Sequence, residues 1–459
     1  MFIGREKEIA ELKEMYRSNK MEAALIYGQR KVGKTAIINE SLKDYSGIVV
    51  HYECKRVSVE SNLERISELF CKQLSLPFIK FKTFNDFFDF VFSTSKNHEF
   101  VLVIDEFTFL LEKDFAIESY LATAIDMHKE ESKIKLIISG SYVGLMQKMM
   151  SYGSHSYGRF NHILFVRPFD YFTFSLFYPD YSDEDKIMTY AVFGGLPYFN
   201  SLIDTSKSPL DNIKNLIIKK DSLLEFELNQ MILEETNRIA NFNDAVRLLA
   251  SGKKKQSDFI ACLKQYDKSD PKYLLNKMQE MDIIEKYTPI NDKNNRKKSY
   301  FRFKDNFFDF YYRYIALSPY SAMRISPDLF YSQFIEEDFL KEYLPHKFED
   351  ISREFLLREN VLGKINPPVM DIGTYFFDDR KNKTNRQFYV VTKDKNGYIS
   401  YECKYSDSKI GTSVIKEGEE QTTDLNIEFY KLGFISKRGF ASDVDKTKYC
   451  CYSLSDFYK

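Results

Sequence analysis

Eight consecutive residues near the start of the chain have the types and the spacing of a phosphate-binding loop. They match the pattern G-x-x-x-x-G-K-[ST] at every position, and they are Gly28, Gln29, Arg30, Lys31, Val32, Gly33, Lys34 and Thr35. The glycines let the backbone wrap around a phosphate so that successive N–H groups face its negative charge. Lys34 would reach the β- and γ-phosphates, and the Thr35 hydroxyl would bind Mg²⁺. An accidental glycine-rich turn is the alternative, and such a match arises in roughly one chain in a hundred.

A pair of carboxylates follows the apolar run Phe100–Ile104. Asp105 can hold the Mg²⁺ shell, and Glu106 can orient and activate a water molecule. Taken alone, two acids after a buried strand more often form a helix cap or a solvated turn. Because they follow the phosphate-binding loop in the expected order, they favour nucleotide hydrolysis instead.

These residues need a sheet that brings the ends of several strands together. The first 165 residues alternate between helical stretches and short apolar runs, and the runs are Ala23–Tyr27, Ile48–Tyr52, Phe100–Ile104, Ile134–Ile138 and Ile163–Val166. Runs of four or five nearly continuous apolar residues are typical of parallel strands that are covered on both faces. The pattern therefore predicts an α/β domain over residues 1–165, with a parallel sheet that binds its ligand at the carboxyl ends of the strands.

The composition limits the class of protein and its surroundings. A chain of 459 residues is expected to form two to four domains. The 66 Lys and Arg residues nearly balance the 67 Asp and Glu residues, so any contact with DNA must be local. We expect a cytoplasmic protein without membrane contact, because we find neither a leader pattern nor a run of about 18 apolar residues. The six dispersed cysteines form no CxxC pair, which indicates reduced thiols.

Two further segments have mainly helical patterns. Residues 166–238 are predicted to be helical on either side of the break Gly194–Pro197. Residues 239–315 have the pattern of a winged helix-turn-helix, in which three helices precede a two-stranded hairpin. The predicted helices are Phe242–Leu249, Gln256–Lys264 and Lys272–Met281, and the predicted strands are Ile283–Tyr287 and Tyr300–Phe303.

Local positive charge surrounds this predicted winged helix. The basic residues are Lys253, Lys254, Lys255, Arg296, Lys297 and Lys298. Phosphate contacts from such residues would give salt-dependent and mostly sequence-independent DNA binding. Glu280 and Asp282, near the end of the third helix, argue against this interpretation, and a solvated face on a packing module is the alternative.

Several of these motifs together resemble the archaeal-type ATPases of the STAND branch of AAA-related NTPases, which occur in archaea and bacteria. Besides the loop and the acidic pair, the resemblance depends on Phe2–Glu6, Leu136–Ser141, Tyr157–Arg159 and Gly194–Pro197. It covers residues 1 to about 315. It implies a P-loop NTPase sheet of the AAA-like, additional-strand type, in which an extra strand lies between the loop strand and the acidic strand. It also implies ATP as the nucleotide and a helical lid over residues 166–238.

The resemblance further implies roles for individual residues. Ser139 would be a polar sensor at the tip of the extra strand, and Arg159 would act on the γ-phosphate as an arginine finger or sensor. Pro197 would lie over the adenine, in a base pocket that residues 2–5 also line. Each has a structural alternative: Ser139 as a strand-end cap, Arg159 as a surface cation or a partner of Asp170, and Pro197 as part of a helix break.

The C-terminal part, residues 316–459, resembles a domain with a restriction-endonuclease-like fold that accompanies some of these ATPases. Such nucleases bind a divalent metal through an acid on a helix, an Asp on one strand and Glu-x-Lys on the next. Glu349, Glu402 and Lys404 match three of these positions, but Gln387 stands where the Asp is expected, and an amide is a poor Mg²⁺ ligand. Compensation would require Asp371, Asp378 or Asp379 to point inward. The alternative is a degenerate domain kept as an interaction or sensing module, which could bind a protein partner, with Glu402 and Lys404 as a pair on one face of an edge strand.

Three functions are consistent with the sequence. The first is an ATP-binding, Mg²⁺-dependent ATPase that acts as a nucleotide-controlled switch. The second is an ATP-controlled DNA-binding protein or nuclease of a mobile element or defence system. The third is a scaffold that retains ADP without turnover. The residues leave open whether the chain oligomerises and whether Arg159 acts on its own subunit or on a neighbour.

Overall fold

The computed structural model describes residues 2–236, 242–252, 254–263, 271–295, 298–316, 318, 325–379, 384–424 and 429–459. The backbone divides into two compact units. Unit 1 comprises Met1–Phe169 and Leu196–Ser201, and unit 2 comprises Asp170–Gly195 and Leu202–Lys459. The four-domain division of the sequence at residues 165, 238 and 315 stays a prediction.

Unit 1 is built on a five-stranded, fully parallel sheet with the order β2-β3-β4-β1-β5. Its strands are β1 (Glu22–Tyr27), β2 (Ile48–Glu53), β3 (Phe100–Asp105), β4 (Lys135–Gly140) and β5 (His162–Phe165). All five apolar runs of the sequence lie at these strands, within one or two residues of the expected ends. Strand β4 lies between the loop strand β1 and the acidic strand β3, so the additional-strand arrangement is confirmed.

Helices surround this sheet, and a short helix at Pro197–Asn200 also belongs to unit 1. They are α1 (Glu6–Arg17), α2 (Lys34–Leu42), α3 (Val59–Gln73), α4 (Phe84–Thr94), α5 (Thr108–Leu111), α6 (Ala116–His128) and α7 (Val143–Met149). Helix α4 shows how phenylalanine fills this core: Thr83 caps its first turn by accepting from Asp86 N, and the buried rings recur at helical spacing. The buried rings of α4 are Phe84, Phe87, Phe88 and Phe92.

Unit 2 has a longer series of helices. They are α8 (Tyr171–Ser175), α9 (Asp183–Phe193), α10 (Pro209–Ile213), α11 (Leu223–Thr236), α12 (Phe242–Ala250), α13 (Gln256–Leu263), α14 (Pro271–Glu280), α15 (Asn306–Tyr311), α16 (Pro327–Phe334), α17 (Glu336–Asp338), α18 (Leu344–Val361) and α19 (Thr412–Asp424). Wider π-helical turns follow α10, α15 and α17, and a 3₁₀ turn forms at Leu454–Tyr458.

Two sheets complete unit 2. The antiparallel hairpin consists of β6 (Ile284–Tyr287) and β7 (Tyr300–Phe303). A mixed sheet has the order β12-β11-β10-β9-β8, with β8 (Asp371–Asp379), β9 (Thr384–Asp394), β10 (Gly397–Lys404), β11 (Phe429–Ser436) and β12 (Cys450–Ser453). Strands β8, β9 and β10 form an antiparallel meander, whereas β11 and β12 run parallel to β10.

The described elements of residues 239–315 match the predicted order of three helices and a hairpin. Helices α12, α13 and α14 and strands β6 and β7 lie where the sequence pattern places them. Assignment of this segment as a winged helix stays a prediction. Among the described helices, none is both long enough and apolar enough to cross a membrane.

Candidate functional site

The phosphate-binding loop connects β1 to α2, and its backbone is tightly constrained. A Cβ atom at Gly28 would lie 2.1 Å from the carbonyl oxygen of Val166, so the position accepts glycine alone. Lys31 and Gly33 have positive φ angles of 64° and 96°, the left-handed backbone that curls the loop before the helix. Val32 is fully buried and anchors the middle of the loop.

Lys34 lies inside this loop and is only 5% exposed. Its Nζ donates to the carbonyl oxygens of Gly28 and Gln29 at 3.0 and 3.1 Å, and to Ser141 Oγ at 2.8 Å. The Nε2 atom of Gln29 is buried without a hydrogen-bond partner in the described part of the chain. A bound phosphate would offer acceptors to both groups.

Asp105 joins the loop to the end of β3. Thr35 Oγ1 donates to Asp105 Oδ2 at 2.6 Å, and Ser139 Oγ donates to Asp105 Oδ1. His51 Nε2, on the neighbouring strand β2, is 3.8 Å from Oδ2. Burial raises the pKa of Asp105, but the nearby His51 imidazole and the hydrogen bonds from Ser139 and Thr35 outweigh it and lower the pKa to about 2. Asp105 is therefore an anion at neutral pH.

Glu106 follows with an unusual backbone angle, because its φ is 52° in a residue that is not glycine. Its Oε1 accepts a hydrogen bond from Ser141 Oγ. Its Oε2 is buried and has no partner among the described residues. The carboxylate thus keeps one acceptor available for a water molecule, as a general base requires.

The oxygen atoms of Thr35 and Asp105 fit a Mg²⁺ ion. Mg²⁺ prefers hard oxygen ligands, and in nucleotide sites it takes one or two protein ligands and completes its shell with water and phosphate oxygens. A hydroxyl and an ionised carboxylate 2.6 Å apart supply this donor set. These two residues would hold the metal.

The short helix at Pro197–Asn200 lies against the loop. Pro197 Cγ is 3.9 Å from the position of a Cβ atom added at Gly33, and Lys31 Nζ lies 3.9 Å from the centre of the Tyr198 ring. The guanidinium of Arg30 is 5.8 Å from the Phe109 ring. The structure thus brings Pro197 to the phosphate-binding loop, while its role over an adenine stays a prediction.

Arg159 has a different partner from the one weighed in the sequence. Its Nε and Nη2 form a bidentate pair with Asp126 at 3.0 and 2.6 Å, and its Nη1 donates to the carbonyl oxygen of Tyr157 at 3.2 Å. Asp170 instead caps α8 by accepting from Thr173 N. The structure records no contact of Arg159 with the described loop residues, and its action on the γ-phosphate stays a prediction.

The residues that match the nuclease pattern lie on α18, β9 and β10 in unit 2. Lys404 Nζ is 2.7 Å from Glu402 Oε1, so these two residues form an ion pair, but their strand β10 is the central strand of its sheet and not the edge strand that the alternative expects. Glu349 Oε2 lies 2.8 Å from His346 Nδ1, within hydrogen-bond distance. Burial raises the pKa of Glu349. Gln387 lies on β9 opposite Phe376 of β8.

The aspartates that could compensate for Gln387 have other surroundings. Asp371 forms an ion pair with Lys293, and the side chains of Asp378 and Asp379 lie outside the described residues. In the part of the chain that the structure describes, no three His, Cys, Asp or Glu residues form a group that could hold a metal ion.

The basic residues near the hairpin also differ from one another. Burial lowers the pKa of Lys254, and Lys298 pairs with Asp292 at 3.2 Å. Lys255 forms a backbone bridge with Tyr300. Lys253, Arg296 and Lys297 lie outside the described residues. The structure therefore leaves DNA contact by this segment as a prediction.

Two site residues were missed by reasoning from the sequence. Ser141 lies in the motif Leu136–Ser141, but the sequence analysis gives it no role. It follows Ser139 by two positions and so lies near the same strand end. His51 reaches Asp105 only because β2 pairs with β3, with His51 opposite Val103. No local pattern reveals that pairing.

Comparison with protein families gives two matches within the chain. Residues 2–200 match a model for an ATPase domain found predominantly in Archaea. Residues 311–417 match a model for archaeal and bacterial proteins of unknown function.

Proteins similar to the chain include a curated protein and solved structures of two archaeal proteins. The uncharacterized protein MJECL04 of Methanocaldococcus jannaschii is 29% identical over 380 residues, which cover 82% of each chain. The Walker-type ATPase PABY2304 of Pyrococcus abyssi is 18% identical, with a TM-score of 0.46, over 68% of this chain and 96% of its own. The ORC2 protein of Aeropyrum pernix, solved as ADPNP and ADP complexes, is 15% identical, with a TM-score of 0.43, over 67% of this chain and 92% of its own.

Proposed function

We propose that the protein is a Mg²⁺-dependent ATPase that acts as a nucleotide-controlled switch. The premise is that residues 2–200 belong to the family of ATPase domains found predominantly in Archaea. The ATP-binding ATPase domain follows from the family. The dependence on Mg²⁺, the roles of individual residues and the switch are the proposal.

The contact between Thr35 and Asp105 carries this proposal. It joins the end of the phosphate-binding loop to the end of the acidic strand, which are 70 positions apart in the sequence. The aspartate is held as an anion, with its pKa lowered to about 2. Asp105 is buried and ionised, which is costly unless hydrogen bonds or a cation compensate the charge, and a Mg²⁺ ion beside it would add to the bonds from Thr35 and Ser139.

The surrounding residues divide the work of hydrolysis. Lys34 and the loop N–H groups would bind the phosphates, and Thr35 and Asp105 would hold Mg²⁺, which neutralises phosphate charge and orients the nucleotide when bound. Glu106 would accept a proton from the attacking water through its Oε2, which has no partner in the described part of the chain. Ser139 keeps Asp105 in place through its hydroxyl.

The switch is supported by the present contacts of Lys34. Its ammonium donates to two loop carbonyls and to Ser141, and it must give up some of these bonds to bind a phosphate. Binding ATP would therefore rearrange the loop and the ends of β3 and β4. We propose that this rearrangement is what the rest of the chain senses.

Titration of fluorescent ATP into the wild type and into Lys34→Ala tests the proposal. The wild type should bind ATP, and Lys34→Ala should lose at least about 1.5 kcal/mol of binding, the value of a charge-assisted hydrogen bond. Lys43→Ala is the matched control, because Lys43 is exposed at the end of α2 and pairs with Glu40. Equal binding by a folded Lys34→Ala variant would refute the ATP site.

Limited proteolysis tests the switch separately. The cleavage pattern should differ between ADP and a non-hydrolysable ATP analogue. Identical patterns, with both nucleotides bound at saturation, would leave an ATPase or an ADP-retaining scaffold without a switch.

The alternative of an ATP-controlled DNA-binding protein or nuclease has less support. Lys404, which would have to stabilise a scissile phosphate, is paired with Glu402, and Gln387 stands in the place of the metal-binding Asp. Salt-dependent DNA binding is the measurement that would revive the DNA-binding form of this alternative.

A further inference from the structure

A short bend after strand β2 carries an arginine at the edge of the sheet where the phosphate-binding loop lies. Strand β2 pairs with the acidic strand β3, and Cys54 N, just beyond the end of β2, donates to the carbonyl oxygen of Asp105 at 2.8 Å. The bend follows at Arg56 and Val57. Because a parallel sheet binds its ligand at the carboxyl ends of its strands, Arg56 leaves the backbone on the nucleotide side of unit 1.

Asn62 holds this bend in place from helix α3. Asn62 is fully buried; its Oδ1 accepts from Lys55 N at 2.9 Å, and its Nδ2 donates to the carbonyl oxygens of Lys55 and Ser58 at 3.0 and 3.2 Å. Tyr52 Oη also donates to Oδ1, at 2.8 Å. A buried amide with all these bonds made is rigid. It clamps the backbone on both sides of Arg56.

The Phe109 ring sets the direction of the Arg56 side chain. Phe109 lies on α5, and its N–H donates to the carbonyl oxygen of Glu106 at 3.0 Å, so the ring is one turn from the proposed general base. The guanidinium of Arg56 is 4.8 Å from the centre of this ring. The guanidinium of Arg30, in the phosphate-binding loop, is 5.8 Å from the same centre. Three segments of unit 1 thus converge on one aromatic ring.

The two guanidinium groups on this ring concentrate positive charge. Like charges that are held close together repel each other, and an anion between them removes that cost. In the described part of the chain, the structure gives Arg56 a ring contact and no carboxylate partner. A guanidinium binds phosphate through two parallel hydrogen bonds, which a lysine cannot form. The phosphate end of a nucleotide is therefore the anion that fits this pair of arginines.

We propose that Arg56 binds the terminal phosphate of ATP and makes the site prefer ATP to ADP. This inference rests on the proposed ATPase function and specifies how its site tells the two nucleotides apart. The terminal phosphate lies on the side of the attacking water and hence of Glu106, one turn from the ring that holds Arg56. ADP lacks this phosphate. Only ATP would then join the bend after β2 to the phosphate-binding loop, which gives the proposed switch two distinct states.

Equilibrium binding of fluorescent ATP and fluorescent ADP to the wild type and to Arg56→Ala tests this role. The variant should lose at least about tenfold in ATP affinity, because charge-assisted hydrogen bonds are lost, and less than about twofold in ADP affinity. Arg56→Lys retains the charge without the planar fork and should recover only part of the preference for ATP.

Arg65→Ala is the matched control for these measurements. Arg65 is an exposed arginine on α3, nine positions after Arg56, and its removal should change neither affinity. Equal losses of ATP and ADP affinity in Arg56→Ala would indicate a general effect of charge and would overturn the proposed contact. Unchanged affinities in Arg56→Ala would overturn it as well.

A double-mutant cycle shows whether Asn62 acts through Arg56. Asn62→Ala should reduce the preference for ATP over ADP by about threefold, because the bend that carries Arg56 is no longer clamped. In an Arg56→Ala background, Asn62→Ala should leave the remaining preference unchanged. The melting temperature of each variant verifies that it is folded during the binding measurement. A full additional loss in the double variant would overturn the positioning role of Asn62.

Failure of this inference is distinguishable from failure of the proposed function. If the wild type binds neither ATP nor ADP, the proposed function fails. If the wild type binds ATP but Arg56→Ala keeps the wild-type ratio of ATP to ADP affinity, only the role of Arg56 fails.

Discussion

The phosphate-binding site of unit 1 and helix α18 of unit 2 both bury charged groups, but they treat them differently. At the loop, Gln29 Nε2 and Glu106 Oε2 are buried and have no hydrogen-bond partner among the residues that the structure describes. Among the described side chains, no buried atom of α18 lacks a partner. Arg353 of α18 is buried and pairs with Asp350 at 2.6 Å, and the partly buried Glu354 accepts from Tyr171 N and Tyr190 Oη at 2.7 and 2.9 Å.

The difference separates buried polar groups that have no partner among the described residues from buried polar groups whose partners lie within the fold. A buried atom without a partner is costly unless another molecule satisfies it. Buried charges with internal partners need no ligand, although removing one partner destabilises the fold. Substitutions in the loop site should therefore change nucleotide chemistry more than stability. Substitutions on α18 should change stability more than nucleotide chemistry.

The largest expected effect is on turnover by Glu106→Gln. The amide cannot accept the proton of the attacking water, so kcat should fall by roughly a thousandfold, while ATP affinity changes little. Phosphate release under saturating ATP measures this, with Glu112→Gln as an exposed control. Turnover that persists in Glu106→Gln would show that another group is the base. It would also contradict the expectation that substitutions in the loop site mainly change nucleotide chemistry.

The second largest effect is expected for Asp105→Asn, which should weaken the dependence of ATP binding on Mg²⁺. Its amide is a poor Mg²⁺ ligand, and the gain in ATP affinity on adding Mg²⁺ should weaken by at least about tenfold, a cost that even supporting residues of metal sites show. ATP binding with and without Mg²⁺ gives the comparison. An unchanged Mg²⁺ effect would mean that the Thr35–Asp105 pair has a structural role like that of the charges on α18.

Glu354→Gln should change how stability depends on pH. Burial, the largest influence, raises the pKa of Glu354 from 4.5 to about 8, and the hydrogen bonds from Tyr171 and Tyr190 only partly oppose it. Because the folded pKa lies above the unfolded value, this residue stabilises the fold at low pH and loses that contribution as pH rises from 4.5 toward 8. The slope from this one group is at most about 1.4 kcal/mol per pH unit.

Denaturant unfolding across that pH range measures the slope. The wild type should lose stability as pH rises, and Glu354→Gln should lose this component, because glutamine does not titrate. Glu342→Gln is a control on the exposed surface of the same unit. Parallel pH curves for the wild type and Glu354→Gln would show that Glu354 is ionised in the fold, against its assignment as a buried neutral acid.

Lys404→Met should have the smallest effect. The Glu402 and Lys404 side chains are 43% and 41% exposed, and such surface pairs contribute about 0–1 kcal/mol. Stability should change within this range and ATP turnover should not change. A Mg²⁺-dependent nicking of plasmid by the wild type that Lys404→Met abolishes would contradict the comparison, because it would make unit 2 a second catalytic region.

Prediction from the sequence succeeded where the signal is local. The loop motif and the five apolar runs located every strand of unit 1, because a buried parallel strand must be apolar at nearly every position. The place of β4 between β1 and β3 came from the family resemblance, since no local pattern specifies which strands pair. In unit 2, β8, β11 and β12 were not predicted, because β8 and β11 mix polar and apolar residues without a regular period and β12 has four residues.

The details of the site were harder to predict. Serine is common at strand ends, so Ser139 and Ser141 could not be told apart by residue type. Their hydroxyls serve Asp105 and Glu106 respectively. The partner of Arg159 was also missed, because Asp126 lies on α6, 33 positions earlier in the chain. Such pairings depend on packing between distant elements.

The order of strands in unit 1 also affects how the protein can be made. Strand β1 leads directly into the phosphate-binding loop, yet its neighbours are β4 and β5, more than one hundred residues later in the chain. During synthesis, the apolar strand β1 leaves the ribosome long before either neighbour exists. Contacts between residues so far apart form slowly, and unpaired strands are exposed to aggregation in the interval. The phosphate-binding loop is thus synthesised early, but the sheet that supports it is complete only after β5 has been synthesised. Nascent chains that end before β5 are therefore the ones most in need of a chaperone.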